Sequence, residues 1–286
     1  MSTLGPLVLG AVAYDPKVVT IWDGFQQYFR SHGLEFDYVL YTNYESQVEA
    51  HVLGHVQVAW NSPLAWLEAE RVATRIGRRA DALCMRDSDR DLTSLILVRA
   101  DSDIESVTDL HGRRIAVGAS DSPQATLIPL SHLADHGLLP GTDFTTIGFD
   151  RLVGKHGDHI GGERDAVRAL VHGEADAACL IDANHLAFGR EGTIPAGVTR
   201  ILAQTPAYDH CNFTVFEDAP PAEVARFRDL LLGMSYADPE VRPLLDLEGL
   251  KRWVPGRTVG YAQLASAVDR MDTINACVDR LVARCA

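Results

Sequence analysis

Apolar residues in this chain alternate between short continuous runs and helical spacing. Residues 7 to 13 form an apolar run of strand length. From Pro16 to His32, Val19, Trp22, Phe25, Tyr28 and Phe29 recur at intervals of three and four. A short apolar run bounded by turn residues reads as a buried strand, and the second spacing reads as the core face of a helix. The alternation repeats: a strand at 36 to 41, a helix at 44 to 53 capped by Asn43, a strand at 56 to 60, and a helix from Pro63 to Val72. This order predicts parallel strands joined by right-handed crossovers.

The pattern then changes. Residues 80 to 85 and 92 to 99 are two strand-like runs joined by the charged turn from Arg86 to Asp91, with no helix between them. The apolar run Arg114 to Val117 leads into Gly118-Ala119-Ser120-Asp121-Ser122-Pro123-Gln124 and an amphipathic stretch to His136. Ser122 is placed to cap that helix, and Pro123 fits its first turn, where no amide hydrogen is needed. A helix start presents free N–H groups, and small hydroxyl residues let a ligand approach them, so this loop is a candidate oxyanion cradle. Every strand-to-helix turn also needs small capping residues, and the loop alone leaves both readings open.

Further strands are expected at 144 to 149, 175 to 180, 199 to 203 and 212 to 216, and helices at 163 to 171 and 182 to 188. After Pro220 the chain reads as mostly helical, with Trp253 to Arg257 as a surface turn. The fold class is α/β with two lobes around a cleft: residues 1–91 and 207–286 form lobe one and 92–206 lobe two, the chain leaving and returning once. In such sheets ligands sit at the carboxyl ends of the strands.

Composition narrows the partners. Lys and Arg number 26 against 39 Asp and Glu, a net charge of −13, which argues against nucleic acid and anionic membranes. No apolar run reaches membrane-spanning length, so membrane insertion is not expected. The first residues show no basic segment followed by an apolar one, and the five cysteines are scattered without a CxxC pair; both point to a cytoplasmic protein with reduced thiols.

The stretch Leu92 to Ser102, then Ile104 to Gly112, then the loop and helix, resembles the second lobe of phosphonate- and phosphate-binding proteins of ABC importers. The resemblance extends to Gly173-Glu174-Ala175-Asp176-Ala177-Ala178 and Gln57-Val58-Ala59-Trp60. It implies a two-lobed type II periplasmic-binding-protein-like fold, a small-molecule ligand and an ABC permease as partner. By position it implies ligand contacts at Ser120, Ser122, His156 with Asp158 or His159, and Asp182. Asp121 interrupts the family loop, and beside a dianion it must point away.

Read from the residues, Tyr14, Trp60, Asn61 and Gln124 join the candidate ligand contacts, because they lie at strand ends or helix starts. Trp60 is read equally well as core. His156 and His159 have metal-ligand residue types, so a divalent metal is an open alternative although no cofactor is expected. His210 and Cys211 are adjacent, and an imidazole can activate a thiol. Two function classes follow. The first is a binding protein holding a small polar, anionic metabolite bearing a phosphonate, phosphate or carboxylate. The second is an enzyme on the same fold, a decarboxylase, lyase or biosynthetic enzyme, with His159, His210 and Cys211 as its proton-transfer and nucleophilic groups.

Overall fold

The computed structural model describes residues 5–285. Its strands in chain order are β1 (Leu7–Val12), β2 (Phe36–Tyr41), β3 (Val58–Asn61), β4 (Ala80–Arg86), β5 (Ser94–Arg99), β6 (Arg114–Val117), β7 (Thr145–Gly148), β8 (Ala177–Ile181), β9 (Thr199–Gln204), β10 (Asn212–Phe216) and β11 (Trp253–Pro255). The helices are α1 (Lys17–Ser31), α2 (Tyr44–Val52), α3 (Pro63–Arg75), α4 (Ile128–Asp135), α5 (Gly161–Val171), α6 (Asp182–Glu191), α7 (Pro221–Gly233), α8 (Arg242–Glu248), α9 (Ala262–Met271) and α10 (Asn275–Cys285). They form two units. Unit 1 takes the chain up to Arg90, Asp209–Tyr261 and the residues from Ile274; unit 2 takes Asp91–Tyr208 and Ala262–Thr273.

Unit 1 is built on a six-stranded sheet in the order β11-β4-β10-β3-β1-β2. Strand β1 runs parallel to β2 and β3, as the helix between each pair requires. Strand β10, returning late in the chain, inserts antiparallel between β3 and β4. Helix α1 buries Val18, Ile21, Trp22, Phe25 and Phe29, while Val19 faces solvent. Trp22, Phe25, Trp60, Phe213, Phe227 and Trp253 meet ring to ring in the core. Asn43 caps α2 by accepting from Ser46 N at 2.8 Å, and Ser62 caps α3 by accepting from Ala65 N at 3.1 Å. The expected surface turn at Trp253 is instead β11, an edge strand paired with β4, because the Trp253 indole packs into the aromatic core.

Unit 2 is built on a five-stranded sheet in the order β7-β6-β8-β5-β9. Strand β6 is parallel to β7 and β8, and β5 is antiparallel to β8 and β9. The two runs read as consecutive strands, β4 and β5, thus belong to different sheets. A short 3-10 turn at Asp87–Asp89 and a left-handed Asp91 (φ 57°) lie between them. The segment Ala262–Thr273, assigned to lobe one by sequence, belongs to unit 2: α9 packs on α4, and Arg270 donates to Ser131 O and to Asp135, each at 2.6 Å. An amphipathic stripe such as Leu264, Ala267 and Val268 states that a helix docks, not where. The chain therefore crosses between the units more than once.

Candidate functional site

The loop after β6 is held by its own backbone. Gly118 N donates to Ala125 O at 3.2 Å, and a Cβ on Gly118 would lie 2.7 Å from Ala125 Cβ, so glycine is required there. Ser122 Oγ accepts from Ala125 N at 3.2 Å, the cap its position predicts. The helix it starts opens with one wide turn: Leu127 N donates to Ser122 O, five residues back, at 3.0 Å. Such π turns break helical regularity and frequently mark functional positions.

The loop from Asp150 to Ile160 folds onto this turn. Ser120 N donates to Asp150 Oδ1 at 2.7 Å. Asp121 Oδ2 accepts from Gly154 N at 2.5 Å and from His156 N at 3.3 Å. With left-handed φ values at Gly154 (89°), His156 (50°) and Gly157 (79°), the alternate N–H groups of Gly154 and His156 converge on one oxygen, as in an anion-binding nest, while Lys155 N donates to Leu152 O. Asp121 Oδ1 is buried and makes no hydrogen bond among the described residues. These loops therefore bind carboxylate oxygens through main-chain donors, and the carboxylates they hold are the chain's own.

Beneath the loops lies a buried polar group that sequence reasoning did not resolve. Gln124, expected as a ligand contact, is buried; its Nε2 donates to Gly157 O at 2.9 Å and to Glu163 Oε1 at 3.3 Å. Glu163, in the first turn of α5, accepts through Oε2 from Ile181 N at 3.0 Å and Asn184 Nδ2 at 2.9 Å. Burial pushes the Glu163 carboxyl up to about 7, against the lowering effect of those three donors. Ser94 Oγ donates to Gln124 O at 2.6 Å and lies 2.8 Å from the Tyr208 hydroxyl. The available signal for Glu163 was its place at a helix start, where acidic residues are also common for dipole reasons alone.

The remaining expected contacts are placed as follows. His156 is buried, while His159 is half-buried with Nδ1 accepting from Gly161 N at 3.2 Å. Asp182 accepts from Thr93 Oγ1 at 2.8 Å and from Ala183 N at 2.7 Å, fixing the start of α6. In unit 1, Tyr14 is half-buried with the Lys17 ammonium 5.8 Å from its ring. Trp60 sits in the core, 4.6 Å from the Phe213 ring centroid, with the Arg86 guanidinium 5.2 Å from its own. Asn61 is fully buried: it accepts from Gln47 Nε2 and donates to Thr214 Oγ1, both at 2.8 Å. Trp60 and Asn61 thus lie in the interior of unit 1.

His210 and Cys211 do meet. His210 Nδ1 lies 3.1 Å from Cys211 Sγ and 3.7 Å from Asp89 Oδ1. Both partners face the same ring nitrogen. A nucleophilic relay needs the nucleophile on one nitrogen and the orienting carboxylate on the other, so these three residues do not form one. His156 and His159 join no cluster of three ligating side chains among the described residues, whereas Asp89, His210 and Cys211 do.

Residues 11–261 match the family described as "ABC transporter, phosphonate, periplasmic substrate-binding protein". Solved structures share the fold at low identity. PhnD1 from Prochlorococcus marinus, solved with methylphosphonate, superposes with a TM-score of 0.70 at 16% identity, over 94% of this chain and 98% of its own. XAC2383 from Xanthomonas citri, solved with chloride, gives 0.67 at 20% identity over 97% and 99%. A binding protein component of an ABC phosphonate transporter from Pseudomonas aeruginosa gives 0.62 at 13% identity over 98% of both chains. The architecture is the type II periplasmic binding fold. The match also corrects the cytoplasmic location expected above, since the matched family is one of periplasmic substrate-binding proteins. That expectation rested on the first residues and the cysteine spacing, neither of which carries the family pattern. No helix among the described residues is long and apolar enough to cross a membrane.

Proposed function

The chain belongs to the periplasmic phosphonate substrate-binding family of ABC transporters, and from that premise we propose that it captures a small anion bearing a phosphonate, phosphate or carboxylate group for delivery to an ABC permease. The observation that carries the reading is the donor geometry of the carboxyl-end loops of unit 2. Ser120 N, Gly154 N and His156 N each already hold a carboxylate oxygen, at 2.7, 2.5 and 3.3 Å. An external oxyanion finds the same donors by displacing Asp121 or Asp150. In this reading Ser120, Ser122, His156, His159 and Asp182 contact the ligand, and Gln124 positions the nest through Gly157.

The neighbour solved with methylphosphonate supplies the first probe. Calorimetric titration with methylphosphonate, inorganic phosphate and acetate should give one saturable site for at least one of them. Ser122→Ala should weaken that site at least tenfold, since a hydrogen bond to a charged group contributes about 1.5–3 kcal/mol. Absence of saturable heat with all three, in folded protein, rejects the reading.

A further inference from the structure

We propose that Asp89, His210 and Cys211 form a binding site in unit 1 for one divalent transition-metal ion of the zinc class. The three side chains are 2%, 7% and 2% exposed, and one ligand atom from each lies within 4.8 Å of the others. His210 Nδ1 is 3.1 Å from Cys211 Sγ and 3.7 Å from Asp89 Oδ1. Ligands about 2.0–2.3 Å from a tetrahedral ion stand at such separations from one another. Adjacent residues in a strand point to opposite faces, but β10 begins only at Asn212, so the irregular backbone before it lets His210 and Cys211 face one point. The backbone there is fixed: His210 N donates to Asp89 O, and the Tyr261 hydroxyl donates to His210 O, both at 2.8 Å.

Charge supplies the second argument. The Arg86 guanidinium donates to both oxygens of Asp89, at 2.5 and 2.8 Å, and to Glu248 Oε1 at 3.4 Å. Nearby Asp209 is matched by its own partner, Arg257. Arg86 thus shares its one positive charge between Asp89 and Glu248. A divalent ion with Cys211 as thiolate adds two positive charges and one negative charge beside the Asp89 carboxylate. Binding displaces the thiol proton to solvent, and Nδ1 ligates with the imidazole proton on the other nitrogen. Arg86 stays on Asp89 and orients it, as hydrogen-bonded partners of ligating carboxylates do. Sulfur, nitrogen and oxygen donors together select a borderline-soft ion over magnesium or calcium. With three protein ligands, the fourth position is left for water or another small donor.

The site is independent of the anion cradle, and its test uses metal alone. Chelator-treated full-length protein is titrated with Co²⁺ and then Zn²⁺. The expected result is one ion per chain, a near-ultraviolet thiolate-to-cobalt charge-transfer band, and its loss on zinc addition. Cys211→Ser should abolish the band and weaken zinc at least tenfold, while Cys285→Ser, at the exposed end of α10, should change neither. A band that persists in folded Cys211→Ser overturns the proposal. Zinc-edge X-ray absorption on the unmodified protein decides the case even if the variant does not fold: one sulfur at about 2.3 Å is expected beside lighter donors at about 2.0–2.2 Å. A shell without sulfur, or less than one bound ion per chain, overturns it as well.

Discussion

Glu163 Oε2 accepts the backbone N–H of Ile181 at 3.0 Å, tying the start of α5 to the end of β8. The carboxyl is buried and its pKa is pushed from 4.5 up to about 7. An acid raised on folding binds its proton more tightly in the folded state. Its contribution is therefore fully present below about 4.5 and is lost as pH rises through about 7. Unit 2 should lose of order 3 kcal/mol of stability across that window. Glu163→Gln should flatten the profile and melt above the parent at pH 8, although its amide group then faces Gln124 Nε2. Circular-dichroism melts from pH 4 to 8 check this, and parallel profiles for the two proteins would remove Glu163 as the cause.

Ser122 and Gly157 are matched by shape. A Cβ on Gly157 would fall 2.3 Å from Ser122 Oγ and 2.7 Å from Gln124 Nε2, at a φ of 79°. Gly157→Ala should cost about 2–4 kcal/mol, combining overpacking and left-handed strain. Ser122→Ala should cost about 1 kcal/mol through the lost helix cap. The double variant should be less damaged than the sum, because removing Oγ relieves the clash. Additive losses would show that the backbone strain alone sets the cost.

What the sequence disclosed follows from what each signal encodes. Strand β6, the Ser122 cap and the Asn43 cap are local facts, written in neighbouring residues, and they were legible. The crossing of Ala262–Thr273 into unit 2 was not, because the buried stripe of α9 does not name its partner surface. The nest around Asp121 joins residues more than 30 positions apart and depends on left-handed φ at His156, a residue type that does not announce it. Asp89 was read as part of a charged turn, and only the fold brings it to His210.

Asn61 tests whether a strand-end amide serves a ligand or the interior. It belongs to a buried chain: Gln47 donates to Asn61, Asn61 to Thr214, Thr214 to Asn212 and Asn212 to Tyr261, each at 2.8 Å. Asn61→Ala leaves two buried polar partners unmet and should cost about 2–4 kcal/mol. All four tryptophans, Trp22, Trp60, Trp66 and Trp253, lie in unit 1, so tryptophan fluorescence during urea unfolding reports that unit. An earlier fluorescence midpoint is expected. An unmoved midpoint with lost methylphosphonate binding would instead make Asn61 a ligand contact.

Arg86 carries the strongest stability prediction. Its guanidinium is shared by Asp89 and Glu248 and lies over the Trp60 ring. Those two carboxylates hold its pKa well above the ordinary arginine value despite burial. Arg86→Met removes the guanidinium charge that Asp89 and Glu248 share, and breaking one side of a buried ion pair costs about 3–5 kcal/mol. Arg86→Lys keeps the charge but not the planar fork or the ring contact, so it should recover only part of that loss. Replacing the group together, Arg86→Met with Asp89→Leu and Glu248→Met, removes the stranded charges as well. Buried ionic groups swapped whole for apolar ones are often neutral or stabilise by about 1–4 kcal/mol. The triple variant should therefore unfold later in urea than Arg86→Met alone, read by the same tryptophan fluorescence. If it unfolds earlier, packing around Trp60 rather than charge pairing is what Arg86 provides.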